Sequence, residues 1–126
     1  MSLRGGDERG QSTVELALVL PFVALAALGV VQVGVLAHDQ VLLTHATREA
    51  VRAAAVSDER DAPRRAAESG GGLRGDRLVV TVSPRGDVGS YVEVEVTYTD
   101  VTDVPLIGAL LPDIVLRAKA AMRIEE

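Results

Sequence analysis

The chain has no cysteine and no tryptophan, and aromatic residues make up only 2% of it. Without thiols it can build no disulfide, no thiolate metal centre and no cysteine nucleophile. With two Tyr and one Phe it offers no aromatic platform on which unpaired bases could stack. Any core must therefore be packed with Val, Leu, Ile and Ala. Cations are scarce as well: 13 Lys and Arg stand against 18 Asp and Glu, for a formal charge of −5. That balance disfavours a phosphate-binding surface, so no nucleic-acid partner is expected. The two histidines, His38 and His45, are too sparse for a metal site. No Ser/His/acid order and no phosphate loop can be found, so neither an enzyme nor a cofactor is expected.

What the chain does have is one long apolar run. From Leu16 to Val31 no side chain is charged or strongly polar, and after Gln32 the run resumes to Ala37. As a helix, Leu16–Ala37 would extend about 33 Å at 1.5 Å per residue, close to the ~30 Å hydrocarbon thickness of a bilayer. A buried core helix is the alternative, but the 89 residues after Ala37 are too few to wrap one on every side. A cleaved secretory signal would have a shorter apolar stretch. The run is read as a membrane span, with lipid as its partner. Arg4 and Arg9 precede it closely, whereas the first basic residue after it is Arg48. The positive-inside rule then puts the amino terminus in the cytoplasm and the larger flank outside the inner or plasma membrane.

Glu15 stands one position before this uninterrupted run. A carboxylate there can snorkel to the headgroups or sit at the positive end of the helix, with Ser12 and Thr13 as caps. Its spacing from Gly10 suggests more. Counted from Gln11, Glu15 is the fifth residue, and the string GQSTVE follows a short polar stretch, MSLRGGDERG. Hydrolysis of the Gly10–Gln11 bond would release an α-amine with an unperturbed pKa near 8, largely protonated at neutral pH. That cation could pair with a Glu15 carboxylate on a neighbouring copy and set the axial register between helices. Pro21 interrupts the helix by removing an N–H and crowding the carbonyl of Ala17. It is either a tolerated kink or a flexible point in the span.

The GQSTVE string resembles the type III prepilin signal, in which a hydrophilic leader ends at Gly and Glu is the fifth mature residue. The longer run GQSTVELALVLPFVALAALGVVQVG resembles the opening of TadE-like proteins, minor pilins or pseudopilins of tight-adherence (Flp, type IVb/IVc) pilus systems. THATREAVRAAA is similar to a second segment of that family, with Arg48, Glu49 and Arg52 in matching places. The likeness covers about residues 10 to 56. Gln32 departs from it, since many relatives carry an acidic residue there. The resemblance implies cleavage by a prepilin peptidase, partnership with other tight-adherence pilins and the assembly platform, and a place in the pilus or at the cell surface. The alternative is an uncleaved, signal-anchored, single-pass surface-binding protein that never assembles.

The helix is expected to continue past the span. Between His38 and Ala55 there is no Gly or Pro, and Leu36, Leu43, Ala46, Ala50 and Ala54 form an apolar stripe. Glu49 is within helical reach of Arg52 and of His45. Residues 57–77 read as a charged, solvated connector with a short helix over Pro63–Glu68 capped by Asp61, then a glycine hinge at Gly70–Gly72. Three strands follow. In LVVTV the run is apolar; in YVEVEVTYT, Val92, Val94, Val96 and Tyr98 alternate with polar residues. In the third strand Ile114, Leu116, Ala118, Ala120, Met122 and Ile124 point one way and Arg117, Lys119 and Arg123 the other. The acidic outer face of the second strand should pair with the basic outer face of the third.

The expected fold is α+β and pilin-like: a long amino-terminal helix whose outer half covers a small antiparallel three-stranded sheet. Its parts are a leader (1–10), a transmembrane helix (11–37), an extramembrane continuation (38–56), a connector (57–77) and the β domain (78–126). The apolar stretch 105–112 either plugs the sheet as a buried short helix or stays exposed as a contact. Two Arg-Gly-Asp triplets, at 74–76 and 85–87, are read as turn chemistry rather than as receptor motifs.

Overall fold

The computed structural model describes residues 7–102 and 105–125. A single helix, α1 (Asp7–Val56), runs for 50 residues with Pro21 inside it. It is followed by α2 (Ala62–Gly70), β1 (Leu78–Val82), β2 (Tyr91–Asp100), a short α3 (Ile107–Leu110) and β3 (Ile114–Arg123). The sheet is antiparallel with β2 in the centre. Val80 lies opposite Val96 on one side, and Val96 opposite Ala118 on the other. The α+β architecture read from the sequence is therefore the one observed.

Helix and sheet meet through the alternation. Val92, Val94, Val96 and Tyr98 on β2 are buried, as are Leu43, Ala46, Ala50, Val51, Ala54 and Ala55 on α1. Small alanines on the helix let the sheet approach closely, and the β-branched valines fill the space between. β3 is an edge strand, and its inward residues Leu116, Ala118 and Ala120 are only half-buried. Met122, expected inward, is 37% exposed, whereas Ile124, also expected inward, is buried. On the outer face Lys119 lies 3.2 Å from Glu95 and 3.7 Å from Glu93. These carboxylates raise the Lys119 pKa, with Glu95 contributing most. The expected pairing of acidic and basic outer faces is thus present at Lys119.

Residues 57–77 depart from the expected solvated connector. The short helix is there, but Pro63 and Ala67 are buried, and α2 packs along α1. Asp61 occupies the position before it without making a side-chain cap bond, its backbone already being helical. The three glycines do not form a hinge. A Cβ on Gly71 would lie 2.7 Å from the Ala46 Cβ and 3.0 Å from the Leu42 carbonyl, and Gly72 has a φ of +68°. Close packing on α1 and a left-handed turn explain the glycines.

The other end of α1 is closed by a side chain from the β1–β2 loop. Arg85 donates from Nη1 to the Ala54 carbonyl at 3.0 Å and the Ser57 carbonyl at 2.5 Å, and from Nη2 to the Ala55 carbonyl at 3.4 Å. Its Nε also lies 3.2 Å from Asp58. A guanidinium fork here satisfies carbonyls left free at the helix end and meets the negative pole of the dipole. The second Arg-Gly-Asp triplet thus begins with a helix cap. In the first, Arg74 lies 3.4 Å from Asp76 across a single 3-10 turn.

Candidate processing and assembly site

The residues singled out at the amino terminus all lie on α1, and the helix passes through the Gly10–Gln11 bond without a break. Gln11 and Glu15 fall one turn apart, and the Gln11 side-chain amide donates to the Glu15 carboxylate at 3.3 Å. Both are exposed, so the carboxylate keeps acceptor sites open towards solvent or a neighbour.

Ser12 and Thr13 are not caps. Their hydroxyls donate backwards along the helix, to the Glu8 carbonyl at 3.0 Å and the Arg9 carbonyl at 2.9 Å. A hydroxyl takes this role when the helix already extends upstream of it. Here Glu8 and Arg9 are good helix formers.

Gly10 has no structural duty that the fold reveals. A Cβ built on it would meet nothing within 4 Å. Gly in an exposed helix costs about 1 kcal/mol relative to Ala, with no packing gain among the described residues to offset it. Pro21 sits in a fully exposed stretch of α1, where the Ala17 carbonyl loses its usual N–H partner.

Around these residues the helix is apolar and uncovered. Leu16, Leu20, Phe22, Val23 and Val30 are each more than half exposed. Among the described residues, this is the one helix long and apolar enough to cross a membrane, and none of its most apolar stretch is buried in the fold. An aqueous surface of this kind would be strongly unfavourable.

Higher on the helix, Arg48, Glu49 and Arg52 are exposed, and among the described residues they form no ion pair. The expected reach of Glu49 to Arg52 or His45 is not used. The aliphatic stem of Glu49 lies instead against Gly70, where an added Cβ would fall 2.8 Å from its Cγ. His38 and His45 are exposed, and no group of three or more potential metal ligands occurs among the described residues.

Two positions take parts that sequence reasoning did not give them. Arg85 was seen only as part of a turn, because nothing local links it to a helix end thirty residues earlier. Gln32 was placed in the span, yet it is 3% exposed while Val31 and Val33 are 54% and 66% exposed. Among the described residues its Nε2 and Oε1 atoms have no hydrogen-bond partner. The outer domain therefore reaches down one face of α1 into the apolar run. The only sequence signal was the interruption of that run by a carboxamide.

Residues 10–52 match the TadE-like protein family. The matched segment begins at Gly10 and ends within α1, so it holds Gln11, Glu15, Pro21, Gln32, Arg48, Glu49 and Arg52 and stops before the sheet. No curated protein and no solved structure matches the chain. The TadE-like segment is thus the bare helix together with the part that the sheet covers.

Proposed function

We propose that this chain is a structural minor pilin or pseudopilin of a tight-adherence pilus, cut between Gly10 and Gln11 by a prepilin peptidase and then assembled. The observation that carries the reading is the Gly10–Gln11–Glu15 arrangement at the start of an uncovered apolar helix, inside the TadE-like match. Gly10 meets no packing demand among the described residues, which fits a demand imposed by a peptidase cleft. The amine released at Gln11 would begin the first turn of the mature helix. Glu15, one turn on, keeps open acceptor sites for the corresponding amine of a neighbour.

In this reading the helix anchors the subunit in the inner or plasma membrane with the amino terminus in the cytoplasm and the α2–sheet domain outside. Partners are the prepilin peptidase, other tight-adherence pilins and the assembly platform. Pro21 supplies a point of bending as the helix leaves lipid for a filament. Arg48, Glu49 and Arg52 present charge on the outer half of α1 for contacts with those partners.

Sheared pili from cells expressing the protein test this. The processing reading expects the subunit in the pilus fraction with Gln11 as its first residue. A chain found only in membranes, beginning at Met1 or Ser2, would instead support an uncleaved anchored surface protein.

A further inference from the structure

Between Asp103 and Asp113 the sequence VPLIGALLP carries no charge and no hydrogen-bonding side chain. It does not plug the sheet. Leu106 is 64% exposed, Leu110 72% and Leu111 45%. Leu106 also holds a φ of +67°, a left-handed conformation usually left to glycine. α3 folds tightly back on the end of β2, since a Cβ on Gly108 would lie 2.3 Å from the Thr102 carbonyl. Leu106, Leu110 and Leu111 thus form an apolar projection that points away from the core.

Its height along α1 identifies what it meets. β3 runs in the same direction as the helix: the Gln40 side-chain amide donates to the Arg117 carbonyl, and the Glu125 N–H to the Ala55 carbonyl, each at 3.3 Å. Ile114 therefore lies about 10 Å below Arg117 at ~3.3 Å per residue, roughly level with Gly34 at 1.5 Å per helical residue. The turn before it goes lower. Pro105 lines a cleft together with Leu28, Val31 and Val35, and Gln32 on the same stretch is covered. Leu28 to Ala37, the last part of the apolar run, covers about 14 Å, close to the depth of one hydrocarbon leaflet. Asp39 and Arg77 also line this cleft, as does Asp100, which is buried and lies opposite Ile114 in the sheet.

We propose that Leu106, Leu110 and Leu111 enter the leaflet on the domain's side, next to the helix, and give the domain a second apolar foothold in the bilayer. The proposal rests on the membrane-anchoring part of the functional reading. It adds that the outer domain is seated in lipid in a fixed orientation, rather than swinging above the surface on its helix. Lipid is the favoured occupant because the projection shares its height with the exposed apolar face of α1 at Val30, Val31 and Val33. Leaving the membrane for a filament would then require withdrawal of the leucines as well as of the helix.

The absence of cysteine makes a depth measurement direct. Single variants Leu110→Cys, Val23→Cys and Val88→Cys of the full chain are labelled with an environment-sensitive fluorophore. They are reconstituted in phosphatidylethanolamine–phosphatidylglycerol vesicles carrying nitroxide lipids. All three positions are exposed, so the substitutions leave the core intact. Val23 reports the span. Val88 reports the far end of the domain, where Gly89 bonds Ile124 near Ala55.

The expected result is strong quenching at Leu110 by a nitroxide near the headgroup. Val23 should be quenched best by one near the chain terminus, and Val88 by neither. Quenching at Val23 with none at Leu110 overturns the proposal and leaves membrane anchoring intact. Loss of quenching at both sites would overturn the anchoring reading together with it. Shielding of Leu110 that grows with protein density, without lipid quenching, would assign the leucines to a second copy and also overturn it.

Discussion

The Gln11 side-chain amide donates to the Glu15 carboxylate across one turn of α1, at 3.3 Å. Within one chain this is a weak, exposed contact. After cleavage Gln11 would carry the terminal amine, and the same turn would then hold both a cation and an anion. Between staggered neighbours such a pair would offset part of the cost of burying each charge, and removing one partner would leave the other uncompensated.

Glu15→Gln separates these roles. A glutamine can still accept from Gln11, so the local helix should be unchanged, and cleavage should persist because Gly10 is untouched. What is lost is the charge partner of the new amine. Breaking a buried pair costs about 3–5 kcal/mol, and less near headgroups. Recovery in sheared pili should fall by roughly tenfold or more, the ratio that corresponds to about 1.4 kcal/mol, while the mature protein in membranes stays at its wild-type level. Equal recovery of the variant in pili would reduce Glu15 to a helix-start residue.

Gly10→Val should stop processing while leaving the fold alone. A Cβ at this exposed position meets nothing within 4 Å among the described residues, so the thermal midpoint should stay close to the wild type. In a peptidase cleft shaped for glycine it would be excluded sterically. Immunoblots with an active prepilin peptidase should show only the full-length form. Efficient cutting of the valine variant would remove the role given to Gly10.

Removing the chain before Ser57 should unfold the outer domain. Leu43, Ala46, Ala50, Val51, Ala54 and Ala55 leave with it, exposing Val92, Val94 and Val96. Burying each large side chain is worth roughly 1.5–3 kcal/mol, so the loss is comparable to the whole stability of a small domain. A chain beginning at His38 keeps every one of these contacts and should melt cooperatively. A soluble fragment from Ser57 with a cooperative melt would contradict the helix-on-sheet core.

Arg85→Ala should destabilise the domain by about 1–2 kcal/mol, from lost bonds to the Ala54, Ala55 and Ser57 carbonyls and from the uncompensated helix end. For a domain of this size that is a fall of roughly 4–8 °C per kcal/mol in thermal midpoint. Arg85→Lys keeps the charge but loses the fork and should recover only part of the stability. Circular dichroism melts of the full chain in detergent would measure both. An alanine variant with an unchanged midpoint would mean that the contacts contribute nothing.

The helix and the sheet were legible because their periods are carried by adjacent residues. The 22-residue apolar run sets its own length, and Val92, Val94, Val96 and Tyr98 declare a strand with one covered face. The candidate processing residues could be proposed for a similar reason: Gly10, Gln11 and Glu15 lie within one short string. What escaped depends on contacts between distant segments. The close approach of Gly71 to Ala46, the capping of Ala54 by Arg85 and the covering of Gln32 each join parts of the chain at least twenty-five residues apart, or meet across elements with no shared pattern. The apolar 105–112 stretch left two readings open because hydrophobicity does not distinguish a core from a lipid-facing surface. The exposure of Leu106, Leu110 and Leu111 fits the second reading.

The intact mass of the membrane-extracted protein, after co-expression with an active prepilin peptidase or with a catalytically dead one, tests the central proposal most directly. The processing reading expects the active enzyme to remove residues 1–10, leaving a chain that begins at Gln11, and the dead enzyme to leave the chain whole. A protein that stays at full length in the membrane beside a peptidase that cuts its other substrates would contradict it.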